Sequence, residues 1–159
     1  MATTIKFAVS YGQLVIFASE LRQPFNDWAD QHVAQGFTWR PGSVSFRTIL
    51  EAGQHSVEIT VIEGTDAVHP EAVRAVEVPF TVPASGAIEI GSITETVPLS
   101  VPAGSYLLRC EFLRSVGVDG ERVRLIFAKT EVPRFAVLRA DPELSINSEL
   151  LTTAQPAPG

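Results

Sequence analysis

The sequence predicts an all-β protein: a β-sandwich of about nine short, mostly antiparallel strands with one short helix near residues 26–35. Apolar and polar residues alternate in many short runs, the pattern of strands with one buried face. Eleven glycines and eleven prolines separate those runs, as turn residues do in β proteins. With 45% hydrophobic residues, the 159-residue chain can bury a core as one domain. A closed barrel is the alternative architecture.

The first two strands are expected within residues 5–19. Alternation places Phe7 and Val9 on one face, and the apolar run 14–18 is short enough for a strand buried on both faces. Gly12 between the two runs suits a tight turn, so they are predicted to form a hairpin.

One helix is predicted after the second strand. Asn26 or Asp27 would be its N-cap, Asp30 would lie in its first turn, and Gly36 stands where a C-terminal glycine belongs. On such a helix Asp27 and Asp30, three residues apart, would be neighbours. Trp28 is expected at the start of the same helix, where it would either plug the core or, if exposed, anchor a partner.

The remaining strands follow from alternation between turn residues. They are expected at residues 37–40, 43–50, 55–63, 76–82, 87–90, 93–101, 105–113 and 121–129, with a last short strand at 135–138. Pro79 should place its strand at a sheet edge or a bulge. The Val118-Asp119-Gly120 turn predicts a hairpin of the strands before and after it. Cys110 alternates with apolar neighbours, which indicates a buried structural thiol.

Two units are predicted along the chain. Residues 1–140 would form the single β-sandwich domain, and residues 141–159 a C-terminal tail. The tail is polar and rich in proline but contains Leu150 and Leu151, so we expect it to be partly packed through those leucines and then flexible.

The net charge of −6 argues against direct binding of nucleic acid and against a polybasic membrane surface. The acids are concentrated in residues 1–104, which contain eleven acidic and five basic side chains. Such an excess can serve solubility alone, or it can attract a basic partner. A single cysteine, no signal-peptide pattern and no apolar run of about 20 residues make the cytoplasm the simplest location. The oligomeric state is not indicated.

Motifs for chemistry are missing from the sequence. No two of His32, His55 and His69 have a metal-ligand spacing, and neither a phosphate-binding loop nor a nucleophile elbow occurs. We therefore predict no cofactor and no catalytic or metal-binding residue. Asp27 and Asp30 leave three interpretations open: helix capping, an acidic patch facing a partner, or a catalytic or metal-binding pair.

An ordered series of short motifs resembles the competence protein J family, the inhibitors of a DNA-entry nuclease. The motifs cover roughly residues 5–132 and are Val9-Ser10-Tyr11, Val15-x-Phe17, Asp27-Trp28-x-Asp30, Gly36-Phe37, Gly42-x-Val44-Ser45-Phe46, Val78-Pro79-Phe80-x-Val82, Gly86, Ile90-x-Ser92-Ile93 and Pro102-x-Gly104-x-Tyr106-x-Leu108-x-Cys110. The chain is longer than the family pattern from about Pro133 onward.

The resemblance implies an intracellular protein that binds a nuclease and blocks it, and that is not itself an enzyme. A nuclease that grips phosphates must present a basic cleft, which an acidic surface can occupy. Asp27, Trp28 and Asp30 are the expected partner-binding residues, two charges beside an aromatic anchor.

Three alternatives remain. The chain could be an immunity protein against a toxin nuclease. It could be a small-ligand-binding β-sandwich in which Tyr11, Trp28 and Trp39 form aromatic walls. It could also be an enzyme that uses Asp27 and Asp30 as a pair.

Overall fold

In the part of the chain that the structure describes, eleven strands form two sheets, with one short helix beside them. The structure, a computed structural model, describes residues 2–114, 120–146 and 149–158. The strands are β1 (Ala2–Val9), β2 (Gln13–Ala18), β3 (Phe37–Arg40), β4 (Ser43–Arg47), β5 (Gly53–Glu63), β6 (Ala72–Val82), β7 (Ala87–Gly91), β8 (Thr96–Ser100), β9 (Gly104–Leu113), β10 (Glu121–Lys129) and β11 (Ala136–Arg139), and α1 spans Asp30–Gln35.

The two sheets enclose one hydrophobic core. One sheet has six strands in the order β1-β5-β10-β9-β6-β11, and the other has five in the order β3-β4-β2-β7-β8. Alternating residues such as Val57 and Ile59 of β5 pack in the same core as Leu14 and Ile16 of β2. The pair β5–β10 is parallel and the other strand pairs are antiparallel. The predicted all-β fold with one short helix is confirmed, and the described strands number eleven where about nine were expected for the sandwich and eleven ranges were proposed.

The first two strands do not form the predicted hairpin. β1 pairs with β5 in the six-stranded sheet, whereas β2 pairs with β4 and β7 in the other sheet. Tyr11 and Gly12, at φ angles of 58° and 64°, carry the chain from one sheet to the other. Alternation and a turn residue are local signals, and they do not specify which sheet each strand joins.

The predicted pairing of β9 with β10 is confirmed, with a register from Val123↔Phe112 to Lys129↔Tyr106. Two residues of the predicted turn, Val118 and Asp119, lie outside the described residues. Cys110 on β9 is buried and free, as predicted. Burial, and then the charge of Glu111, raise the pKa of its thiol well above the usual value.

Pro79 lies in β6, which has β9 on one side and β11 on the other. Because β11 pairs only with Ala75, Val76 and Glu77, it does not reach Pro79. Pro79 was expected at a sheet edge or a bulge. β6 as a whole is not an edge strand, but at Pro79 it has only β9 beside it, so the missing N–H costs no ladder hydrogen bond there. Among the described residues no helix is long and apolar enough to cross a lipid bilayer.

Candidate partner-binding site

The predicted N-cap residues lie before the helix rather than at its start. α1 begins at Asp30, and the residue that precedes it, Ala29, has extended backbone. Asn26 is buried, and its amide nitrogen donates to the carbonyl oxygens of Thr38 (3.1 Å) and Ser43 (3.2 Å). The amide oxygen of Asn26 accepts a 2.6 Å hydrogen bond from Nε of Arg40. Asn26 therefore fixes the segment before α1 to β3 and β4.

Asp27 is half-buried and is held by the C-terminal segment. Its backbone N–H donates to the carbonyl oxygen of Gln155 at 2.9 Å, and its Oδ1 accepts the N–H of Gln155 at 3.2 Å. Its carbonyl oxygen accepts the hydroxyl of Thr38 at 2.9 Å. Because Asp27 lies outside α1, the prediction that Asp27 and Asp30 are neighbours three residues apart on one helix is wrong.

Asp30 is exposed in the first turn of α1. There the partial positive charge of the helix N-terminus favours a carboxylate. Asp30 makes no ion pair within the described residues, so its charge faces solvent.

Trp28 is half-buried and packs edge-to-face against His32, with ring centroids 6.5 Å apart. Its indole Nε1 is buried and has no hydrogen-bond partner among the described residues. Burying an N–H group without a hydrogen-bond partner costs free energy, and few native polar groups are left in that state. Trp39, the other tryptophan, lies elsewhere: its Nε1 donates to the carbonyl oxygen of Pro79 at 2.7 Å.

His32 caps the helix from within, a role that sequence reasoning did not identify. Its Nδ1 accepts the backbone N–H of Ala29 at 2.9 Å. The proton must then lie on Nε2, which donates to the carbonyl oxygen of Thr153 at 2.9 Å. The partner of His32 lies 121 residues away along the chain, and no local sequence pattern signals such a contact.

The segment 149–158 runs along the residues that precede and form α1. The side-chain amide of Gln35 donates to the carbonyl oxygen of Leu151 (2.9 Å) and accepts its N–H (2.8 Å). Asn26 forms an isolated antiparallel bridge with Pro156. Earlier in the tail, Leu144 is buried, and its methyl groups lie 3.1 Å and 3.2 Å from where a Cβ would sit on Gly36. Any side chain at Gly36, whose φ is 91°, would therefore push against Leu144.

A pocket of about 400 Å³ lies beside Trp28. Its walls come from the β1–β2 turn and the start of β2, from α1 and the residues before it, from the end of β4 and the chain that follows, and from Glu143 of the C-terminal segment. The lining side chains used below are Tyr11, Gln13, Trp28, Val33, Arg47 and Glu51. Tyr11 and Trp28 thus share a pocket as the small-ligand alternative requires, but Trp39 is absent from it.

A cluster of arginine and glutamate side chains lies on β6, β9 and β10, and its positive and negative charges compensate each other. Arg109 forms ion pairs with Glu77 (3.6 Å) and Glu111 (2.9 Å), and Arg124 pairs with Glu111 (2.7 Å). These side chains are mutually paired and largely buried, so their charges are already compensated within the sheet and are not offered to a partner. Within the described residues no group of three or more His, Cys, Asp or Glu side chains could hold a metal ion.

Two solved structures are similar to this chain. One is the crystal structure of ComJ from Bacillus subtilis, an inhibitor of the DNA degrading activity of NucA. It is 20% identical with a TM-score of 0.67, and the match covers 80% of this chain and 96% of that chain. The other, the product of crocagin biosynthetic gene J, is 16% identical with a TM-score of 0.57, and the match covers 81% of this chain and 97% of that chain.

No curated protein sequence matches the chain significantly. At these identities the two structures establish the shared fold only. A sequence model of the family described as competence protein J (ComJ), however, matches residues 6–128, more than three quarters of the chain. The chain therefore belongs to the competence protein J family.

Proposed function

We propose that the chain is a protein inhibitor that binds a nuclease and blocks its degradation of DNA. The observation that carries the proposal is family membership across residues 6–128, in a family for which ComJ of Bacillus subtilis is the structural example and an inhibitor of NucA. On this proposal the chain is a binding protein in the cytoplasm rather than an enzyme, and its partner is a nuclease rather than DNA.

The acidic character of the chain supports electrostatic attraction to such a partner. A nuclease needs a basic cleft to hold the phosphates of its substrate, and the net charge of this chain is −6. Opposite potentials speed the encounter of two proteins, and a few desolvated contacts then hold the complex. Binding in the cleft would exclude DNA by occupying the space of the phosphates.

The proposed contacts are Asp27, Trp28 and Asp30. Asp30 offers an exposed carboxylate that forms no ion pair within the described residues, and Trp28, two residues before it, offers a half-buried aromatic surface. The Asp27 carboxylate is partly engaged by Gln155, so its contribution depends on the C-terminal segment. Aromatic residues next to charges are typical of the few positions that dominate binding energy.

The test is inhibition of the nuclease that the protein captures from its native cell. We expect the double substitution Asp27→Asn/Asp30→Asn to weaken inhibition about tenfold or more, and Trp28→Ala to weaken it by at least that factor. The matched control is Glu20→Gln/Glu63→Gln, which removes two exposed charges outside the proposed contacts and should leave inhibition unchanged. Folded site variants that inhibit as well as wild type would remove this stretch from the interface.

An immunity protein against a toxin nuclease would use the same surface and chemistry. The two contexts differ in the identity of the captured enzyme: a nuclease encoded beside this chain and carrying a secretion signal would favour immunity. The pocket beside Trp28 is the observation that favours a small-ligand-binding protein as a second candidate.

A further inference from the structure

The pocket beside Trp28 is built from groups that a free protein has little reason to keep. Tyr11 is 72% exposed and has a φ of 58°, in the left-handed region. A tyrosine gains nothing from that backbone conformation, which suits glycine or asparagine, and it buries little surface there. Strain held at an exposed aromatic residue is characteristic of binding sites.

Two polar atoms of pocket-lining residues lack partners. Oε1 of Gln13 and Nε1 of Trp28 are both covered from solvent and make no hydrogen bond within the described residues. One is an acceptor and the other a donor, so a ligand with both an N–H group and a carbonyl group could satisfy the two together. Both atoms are closed to solvent in this structure, so a ligand in the pocket pairs with them only when the two side chains turn to expose them.

The charges of the pocket leave one carboxylate available. Arg47 is already engaged: it donates to the carbonyl oxygens of Val33 (3.1 Å) and Glu143 (3.0 Å), and it lies 3.6 Å from the Glu143 carboxylate. Glu51 is exposed, and its carboxylate has no hydrogen bond or ion pair within the described parts of the chain. The charge that remains for a ligand is negative.

We propose that this pocket binds an arginine side chain that the nuclease presents, an inference that rests on the proposed function. A guanidinium group is planar and stacks on aromatic rings, here Tyr11 and Trp28. Its several N–H groups can donate to the exposed carboxylate of Glu51 and, once the Gln13 side chain turns, to Oε1 of Gln13. The backbone carbonyl of the same arginine can accept the indole N–H of Trp28, which has no partner in the described part of the chain, once that atom is uncovered.

An amine or an anion fits these groups less well. A lysine ammonium is compact and strongly hydrated, and it cannot stack on a ring as a plane. A phosphate would meet Glu51, while the cation that could bind it, Arg47, is already paired. The arginine is therefore expected to come from the basic surface of a protein that itself binds phosphates.

N-acetyl-L-arginine N-methylamide is a probe with the guanidinium and both carbonyls. We expect its addition to shift the indole N–H resonance of Trp28 in a saturable manner in nuclear magnetic resonance spectra. The corresponding citrulline compound, which is neutral and nearly isosteric, should bind about tenfold more weakly, and the lysine compound should also bind more weakly. Equal binding of the citrulline compound, or no shift of the Trp28 resonance, would overturn the proposal.

The variants Tyr11→Asn and Glu51→Gln should each weaken arginine binding about fivefold or more. Both positions are exposed and asparagine tolerates the left-handed backbone, so both variants should fold. Glu63→Gln, another exposed acid that does not line the pocket, should bind arginine like wild type. Unchanged affinity in both pocket variants would count against the site.

Nuclease inhibition, measured separately, distinguishes the two proposals. Arginine binding without inhibition of any captured nuclease would support the site and contradict the proposed function. Inhibition without arginine binding would overturn the site alone.

Discussion

Arg74 is a buried charge on β6 that ties the sandwich to the C-terminal segment. Its side chain is 0% exposed, and its Nε and one terminal nitrogen contact the two carboxylate oxygens of Asp141 at 2.6 Å and 2.9 Å. It also donates to the carbonyl oxygen of Arg47 and lies 5.7 Å from the ring centre of Phe112. A buried guanidinium requires this carboxylate, since an unpaired charge in the interior is strongly destabilising.

Asp141→Asn should therefore lower the free energy of unfolding at pH 7 by about 3 kcal/mol, because it leaves the buried Arg74 without its charged partner. The matched control is Glu143→Gln: the Glu143 side chain is 49% exposed and 3.7 Å from Arg74, so its loss should cost less than about 1 kcal/mol. Chemical denaturation measures both. Equal effects of the two substitutions would contradict the role assigned to Asp141.

The ion pair between Arg74 and Asp141 also makes the free energy of unfolding depend on pH. Burial alone would raise the pKa of Asp141, but the hydrogen bond and the charge of Arg74 outweigh it and lower the pKa below its usual value. A lowered folded-state pKa gives stability that is present above the unfolded pKa of about 3.9 and lost as pH falls through the folded pKa. The difference between wild type and Asp141→Asn should thus shrink only in acid, below about pH 4.

Single residues also show what local patterns can predict. Cys110 is buried as expected, because alternation along a strand depends only on near neighbours. Asn26 looked like an N-cap but uses its side chain on Thr38, Ser43 and Arg40, and those tertiary hydrogen bonds outweigh capping. His32 contacts Thr153, far along the chain, and no local signal marks such a contact.

At the scale of elements, the segment 149–158 is the support of α1. A helix of six residues is too short to be stable by itself, so it depends on tertiary contacts. Those contacts come from Arg47 of β4, which donates to the carbonyl oxygen of Val33, and from the tail, through His32 and Gln35. Asp27 ties the residues before α1 to the same tail. The family match ends at residue 128, so this support is supplied by sequence outside it.

Deletion of residues 149–159 should loosen the segment 26–35 while the central strands β5, β9 and β10 stay protected. The Asp27 amide loses its acceptor, and α1 loses the hydrogen bonds of His32 and Gln35, each of about 1 kcal/mol. Amide hydrogen exchange in residues 26–35 should accelerate by more than about tenfold.

The full-length protein with Gln35→Ala is the control, since it loses one of these contacts and should show a smaller acceleration in the same residues. Unchanged exchange after the deletion would mean that the tail does not hold α1.

The positions of the strands along the chain could be predicted from the sequence, but which strands pair with one another could not. The strands arose where alternation placed them, because a strand with one buried face must alternate. β1 and β2 were assigned to one hairpin, yet each finds its neighbours in a different sheet. Which strands pair in a sandwich depends on contacts between residues far apart along the chain. The pocket lined by Tyr11, Trp28 and Glu51 lies where the chain passes from one sheet to the other, so it depends on that pairing.

At the scale of the whole molecule, charge and fold support the same function. The β-sandwich holds the exposed Asp30 and the half-buried Trp28 on a framework with a continuous core, so little ordering is needed on binding. The net charge of −6 should draw the protein toward a basic enzyme, and salt should slow that encounter.

The central claim, that this member of the competence protein J family inhibits a nuclease, is tested most directly by capture followed by titration. The purified protein is used as bait in an extract of its native cell, and the DNA-degrading activity of the recovered enzyme is measured as the protein is added back. We predict that a nuclease is recovered and that its activity falls in proportion to added protein, with weaker inhibition at high salt. Repeated captures without a nuclease, or a recovered nuclease with undiminished activity, would contradict the account.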